Sequence, residues 1–86
     1  MASEKNRWYI KKEHYLNVDD YNVCMQPGDS RLPSVCIGCF QGIEQLKGFA
    51  DLLKRTIESG QIAEDIREAY VQIIDAIGKE EAALCG

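Results

Sequence analysis

The sequence predicts an α+β fold, in which a three-stranded antiparallel sheet is followed by a helical hairpin packed on one face. Before Gly42 apolar and polar residues tend to alternate, as in strands, and after it apolar residues recur with the ~3.6-residue period of a helix. The strand-like segments come first and have short connections, which favours a meander of neighbouring strands. We expect one domain over residues 1–86, with strands within about residues 7–40 and helices over about 43–59 and 62–78.

The first strand is predicted from the nearly alternating, aromatic segment Trp8–Leu16. Residues 17–20 contain Asn and Asp, whose side chains bond to the nearby backbone, so we expect a turn there. A second strand is predicted over Tyr21–Met25 and a third over Val35–Phe40, and the Pro27-Gly28 dipeptide between them indicates a loop.

Each helix is predicted from one apolar stripe. The first stripe contains Ile43, Leu46, Phe49, Ala50, Leu53 and Ile57. The second contains Ile62, Ile66, Ala69, Tyr70, Ile73 and Ile77. Gly60 is expected to end the first helix, and Gly78 to end or weaken the second. A glycine inside a helix is costly, so Gly48 predicts close packing of the first helix against the sheet or the second helix.

Several function classes are disfavoured by simple observations. The longest apolar run is far shorter than the ~20 residues of a transmembrane helix, and the charged N-terminal segment does not resemble a signal peptide, so we expect a cytoplasmic protein. His14 is the only histidine, and no nucleophile–base pair can be named. The glycine spacing matches no phosphate-binding loop. We therefore expect no enzyme, no catalytic residues and no cofactor.

The chain has four cysteines, Cys24, Cys36, Cys39 and Cys85. Without an export signal a reducing compartment is expected, and disulfides are not. Cys36 and Cys39 have the spacing of half a zinc site, which would need two further ligands from Cys24, Cys85 or His14. Residues three apart on an ideal strand point to opposite faces, so joint ligation requires a turn or bulge near Gly38. Core thiols are the favoured interpretation over a zinc or redox site, and no metal is expected.

Adjacent carboxylates at Asp19 and Asp20 have two interpretations. Together they resemble a metal-binding pair. Acids in turns, however, commonly serve only to hydrogen-bond the backbone. The second interpretation is favoured here, since the pair falls in the predicted turn.

Charge is unevenly distributed along the chain, whose net charge is −4. Residues 56–86 hold seven acidic and two basic side chains. An acidic protein is disfavoured as a direct nucleic-acid binder, because phosphates require a basic face. It suits instead a protein or ribonucleoprotein complex with a basic surface, including a surface built for nucleic acid. The predicted contact residues in the second helix are Glu64, Asp65, Glu68 and Asp75.

The basic, aromatic N-terminal strand supports an alternative. Aromatic rings beside cations form platforms for single-stranded nucleic acid. The same residues suit a protein partner, since Tyr and Trp are common interface hot spots. Tyr9 and Tyr15 are therefore included among the predicted partner-binding residues. The full candidate platform is Arg7, Trp8, Tyr9, Lys11, Lys12, Tyr15 and Tyr21. Leu52 and Ile74 lie at the margins of their stripes, and a homodimer through the helices is a further partner prediction.

The run LKGFADLL, Leu46–Leu53, resembles a helix start in small acidic phage-encoded anti-CRISPR proteins that inhibit the type I-F surveillance complex. The resemblance implies a mimic of double-stranded DNA, which presents acids to a basic DNA-binding surface. It also implies a phage or mobile-element inhibitor acting in the host cytoplasm. The acidic second helix is compatible with mimicry, whereas the basic first strand departs from it. The leading hypothesis is a non-enzymatic interaction module of this kind.

Overall fold

The computed structural model describes residues 5–85 and confirms the predicted α+β architecture. Strands β1 (Arg7–Tyr15), β2 (Val18–Gln26) and β3 (Val35–Gln41) form an antiparallel sheet in the order β1-β2-β3. Helices α1 (Gly42–Ser59) and α2 (Glu64–Cys85) follow them. Both helices pack on the same face of the sheet, α2 against β1 and α1 against β2 and β3.

The hairpin between β1 and β2 is tighter than predicted. Its turn consists of Leu16 and Asn17, with φ angles of 50° and 68°. Tyr15 already pairs with Val18, so residues 18–20 belong to β2 rather than to a turn. Two-residue turns with positive φ have the twist of the adjoining strands, which explains why the hairpin closes so early. Asn suits this conformation, whereas Leu16 adopts it at a steric cost and is 80% exposed at the tip.

One face of the sheet forms the core with the helices. Alternation along the strands places Trp8, Ile10, Val23 and Phe40 on this face, as the register pairs Ile10 with Val23 and Tyr21 with Phe40. The buried members of the core are Tyr21, Val23, Leu46, Ala50, Leu53, Ile73 and Ile77. The predicted apolar stripes supply the helical part of this core, except that Ile66 is 45% exposed and Ile62 precedes α2.

A β-bulge interrupts the pairing of β2 with β3. Val23 pairs with Gly38, but its neighbour Cys24 pairs with Cys36, so Ile37 is an extra residue on β3. A bulge of this kind shifts the alternation of the bulged strand by one residue. Cys36 and Cys39 consequently pair with β2 residues that lie two apart, and both thiols lie on the sheet face away from the helices.

The second helix differs from its predicted bounds at both ends. It starts at Glu64 rather than residue 62, and it continues through Gly78 to Cys85, seven residues further than expected. Gly78 therefore does not end the helix. Gly60 does end α1, since it has φ 72° and its N–H donates to the Ile57 carbonyl at 3.0 Å.

Gly48 does not mark close packing, contrary to the prediction. It is exposed, and the Cβ of an alanine at this position would meet no atom within 4 Å beyond the local helix. The same holds for Gly78. Neither helical glycine is therefore required by a neighbouring element.

Gly48→Ala and Gly78→Ala are each expected to stabilise the protein by about 0.5–1 kcal/mol, because alanine lowers the entropy of the unfolded chain. Urea denaturation would measure the difference. Gly60→Ala is the matched control, since its positive φ is unfavourable for alanine and the substitution should destabilise. A loss of stability in both helical variants would contradict the assigned environments.

Over residues 5–85, neither helix combines the length and apolar character needed to cross a membrane.

Candidate functional site

The predicted acidic contact residues lie exposed on α2. At about 100° per residue, Glu64, Glu68 and Asp75 fall within about 40° of one another on the helix surface. Asp65 lies about 100° from Glu64, towards the side of the helix. The buried residues Ile73 and Ile77 project from the opposite side of α2. These four acids, Glu64, Asp65, Glu68 and Asp75, are called the α2 acidic surface below.

Intramolecular cations contact two of these carboxylates. Lys5 Nζ lies 2.6 Å from Glu68 Oε1, and Lys79 Nζ lies 3.8 Å from Asp75 Oδ2. The hydrogen bond and the attraction of Glu68 raise the pKa of Lys5. Within residues 5–85 no cation lies within 4.0 Å of a carboxylate of Glu64 or Asp65. Because both pairs are exposed, water and salt screen them strongly, and a basic partner can compete with either lysine.

The contact between Lys5 and Glu68 was not foreseen. The basic N-terminal segment and the acidic C-terminal segment are distant in sequence, so composition treats them as separate patches. Packing of α2 against β1 brings them together, and Trp8 N–H also donates to Gln72 Oε1 at 3.2 Å. No local sequence signal indicates this pairing, because it depends on which strand α2 covers.

Of the two helices, only α2 has more acidic than basic side chains. On α1 three acidic side chains, Glu44, Asp51 and Glu58, are balanced by Lys47, Lys54 and Arg55. On α2 six acids face two bases, Arg67 and Lys79. The two helices thus present different electrostatic surfaces, and α1 serves as an internal control for α2.

The predicted aromatic platform is divided between the two faces of the sheet. Trp8 and Tyr21 face the helices, and Tyr21 is 1% exposed in the core. Tyr9 lies half-buried on the open face, where the guanidinium of Arg7 sits 5.5 Å from its ring centre. The side chain of Tyr15 lies outside the described part of the structure. Trp8 and Tyr21 therefore do not share a surface with Tyr9, and Tyr21 is buried rather than available for stacking.

The acids at positions 19 and 20 point to opposite faces of β2, so they do not form a carboxylate pair. Asp19 Oδ1 lies 2.7 Å from His14 Nδ1, and this hydrogen bond lowers the pKa of Asp19. Lys12 Nζ also lies 3.6 Å from Asp19. Asp20 Oδ1 is buried without a hydrogen-bond partner. His14 itself is exposed, and its contact with Asp19 joins β1 and β2 close to the hairpin turn.

The cysteines also differ from the favoured interpretation. Cys36 and Cys39 are exposed on the open face, whereas Cys24 is buried, and the side chain of Cys85 lies outside the described residues. The bulge near Gly38 puts Cys36 and Cys39 on one face, as joint ligation would require. Even so, within the described part of the chain no group of three or more His, Cys, Asp or Glu residues is placed to hold a metal ion.

Comparison with protein-family models, curated proteins and solved structures finds no match for this chain. The resemblance of Leu46–Leu53 to anti-CRISPR proteins therefore stays a prediction from sequence. In the structure this run lies in the middle of α1, where Leu46, Ala50 and Leu53 are buried.

Proposed function

We propose that this chain is a non-enzymatic interaction module that binds a basic surface of a partner macromolecule through α2. The observation that carries the proposal is the α2 acidic surface: exposed carboxylates on the outward side of a helix whose acids outnumber its bases six to two. A surface of one charge attracts an oppositely charged partner and raises the rate of encounter. The core holds the helix on its other side, so the backbone that carries these carboxylates is already in place before binding.

The sharper form of the proposal is an inhibitor of a host nucleic-acid-targeting complex, encoded by a phage or mobile element and acting in the host cytoplasm. Glu64 and Asp75 lie about 16 Å apart along the helix axis. Duplex DNA carries about one charge per 1.7 Å of its length. A protein site for DNA therefore presents several cations along a stretch as long as the distance between Glu64 and Asp75. The anti-CRISPR resemblance described above points to the same class of partner.

A second surface is available on the open face of the sheet around Tyr9, Arg7 and Lys11. Single-stranded nucleic acid is the corresponding ligand, with bases stacked on the aromatic ring. The core position of Tyr21 and the overall charge of −4 disfavour this alternative. Tyr15 is predicted to belong to the same surface, and the effect of Tyr15→Ala on nucleic-acid binding would measure its contribution. Membranes are not proposed as partners.

The test is capture of partners from a host lysate by the tagged protein, with and without nuclease treatment. Two charge-reversed variants with the same change in net charge make the comparison specific. The α2 variant carries Glu64→Lys, Glu68→Lys and Asp75→Lys. The matched α1 variant carries Glu44→Lys, Asp51→Lys and Glu58→Lys. Both variants are expected to fold, because all six side chains are exposed, and circular dichroism would test this.

The proposal expects a specific protein or ribonucleoprotein complex that survives nuclease, is kept by the α1 variant and is lost from the α2 variant. Equal capture by both variants would contradict a role for α2. Capture of nucleic acid alone, lost after nuclease treatment, would support the open-face alternative. The Tyr9→Ala variant would then be expected to lose that capture. Light scattering of the free protein tests for a homodimer through the helices. Of the two residues predicted to mediate it, Leu52 is 59% exposed, whereas Ile74 packs against the core.

A further inference from the structure

The open face of the sheet places two thiols opposite each other on neighbouring strands. Cys24 on β2 and Cys36 on β3 are direct partners in the register, next to the bulge. Directly opposed residues of antiparallel strands have Cα atoms about 4.5–5.5 Å apart. Disulfides span Cα distances of about 4.4–6.8 Å. Residues paired in this register therefore fall within the range of Cα separations that a disulfide spans.

Neither alternative pairing of these cysteines has this geometry. Cys36 and Cys39 pair with β2 residues two apart, so their Cβ atoms lie about 6–7 Å from each other and point the same way. Cys24 and Cys39 are diagonal neighbours at about 7–8 Å. A disulfide requires Cβ atoms about 3.5–4.5 Å apart, and among the described thiols of Cys24, Cys36 and Cys39 only the pair of Cys24 and Cys36 approaches this distance.

The two thiols have different environments. Cys24 is 6% exposed and lies beside Tyr9, its partner on β1, whereas Cys36 is exposed. Burial and the adjacent Cys36 thiol raise the pKa of Cys24, so less of Cys24 is present as thiolate at neutral pH. Each thiol donates only one weak hydrogen bond, Cys24 to the Asn22 carbonyl at 3.6 Å and Cys36 to the Gly38 carbonyl at 3.4 Å.

We propose that Cys24 and Cys36 form a redox-responsive pair, which low-molecular-weight disulfides such as oxidised glutathione convert into a cross-strand disulfide. A transient disulfide of this kind is compatible with a reducing compartment, where redox-sensing disulfides do occur. The inference is independent of the proposed function of α2.

The exchange proceeds in two steps that balance. The Cys36 thiolate attacks one sulfur of oxidised glutathione, forming a mixed disulfide and releasing one glutathione thiolate. The Cys24 thiol then loses its proton and attacks Cys36 Sγ, which forms the protein disulfide and releases the second glutathione thiolate. The leaving thiolates take up the two protons. Two protein thiols are thereby oxidised and one glutathione disulfide is reduced.

The disulfide would fasten the outer strand β3 to β2 at the point where the bulge disturbs their pairing. It would also close the loop between Cys24 and Cys36 and so restrict the unfolded chain. The oxidised protein is therefore expected to have a Tm higher than the reduced protein by on the order of 10 °C.

The test is equilibration of the full chain in glutathione buffers of increasing oxidised fraction, followed by acid quench, alkylation and non-reducing tryptic digestion. Trypsin cleaves after Lys12, Arg31 and Lys47, so Cys24 lies in the peptide 13–31, and Cys36 with Cys39 in the peptide 32–47. Mass spectrometry is expected to find these two peptides cross-linked. Thermal denaturation of the same samples measures the shift in Tm.

Two single variants identify the partner of Cys24. Cys39→Ser should retain both the cross-link and the shift in Tm, and Cys36→Ser should lose both. Both cysteines are exposed, so each substitution is compatible with folding. Should Cys36→Ser fail to fold, Cys39→Ser decides alone, because its peptide 32–47 contains a single cysteine. A cross-link lost in Cys39→Ser, or only glutathionylated peptides in the wild type, would overturn the proposal.

Discussion

Val23→Asp is expected to unfold most of the protein. Val23 is 0% exposed on the central strand β2, where it lies between the sheet and the helices. An aspartate there would bury a charge without a partner, at a cost of about 4 kcal/mol or more. A domain of 86 residues has a total stability of roughly 4–13 kcal/mol, so this loss equals or exceeds the lower end of that range. Circular dichroism and urea denaturation would show it.

Asn22→Asp is the matched control for this substitution. Asn22 is the preceding residue of β2, and it lies half-buried on the open face opposite Lys11. An aspartate would there face a lysine across the strand pair, which is favourable or neutral. The variant should keep its fold. A folded Val23→Asp variant would contradict the assignment of the helix-facing side of the sheet.

Leu46→Ala is expected to cost about 2–5 kcal/mol, because it removes a fully buried side chain and leaves a cavity. Leu46 is 0% exposed in α1 and belongs to the core. For a domain of this size each kcal/mol corresponds to roughly 4–8 °C in Tm, so a loss of at least about 10 °C is expected. Differential scanning calorimetry would measure it.

Leu52→Ala makes the same chemical change on the exposed side of α1. Leu52 is 59% exposed, and its truncation should alter stability by no more than about 0.5 kcal/mol in a monomer. Equal losses from Leu46→Ala and Leu52→Ala would contradict the assigned orientation of α1. A loss from Leu52→Ala that grows with protein concentration would instead reveal a homodimer through this helix.

The two proposals concern opposite sides of the molecule and can be tested separately. The helices cover one face of the sheet, and the pair of Cys24 and Cys36 lies on the other. The α2 acidic surface points away from the core, so reversing its charges leaves the core intact. Oxidation of the cysteines is therefore expected to change the stability of the fold without removing the acidic surface.

Sequence periodicity predicted the core more accurately than it predicted boundaries. The residues at 3.6-residue spacing, such as Leu46 and Ile77, are buried as expected. The end of α2 was predicted too early, because glycine usually marks a helix end. In the structure Gly78 is exposed and the helix continues past it, since one unfavourable residue of about 1 kcal/mol does not outweigh the adjoining helical turns.

The sequence predicts which acidic residues are exposed in the candidate site, but not the contacts that they make with other parts of the chain. Exposure of the α2 acids follows from their position opposite the apolar stripe, which the sequence displays. The contact of Lys5 with Glu68 does not, because the two are 63 residues apart and meet only through the packing of α2 on β1. The shared face of the cysteines likewise depends on a bulge that no single residue specifies.

The sequence by itself determined the fold class, the identity of the apolar core and the location of the acidic excess. These depend on local periodicity and charge, which are properties of neighbouring residues. The tertiary structure alone decided the two-residue turn, the burial of Tyr21 in the core and the pairing of Cys24 with Cys36. Each of these depends on strand register, and a shift of one residue moves a side chain to the opposite face of the sheet.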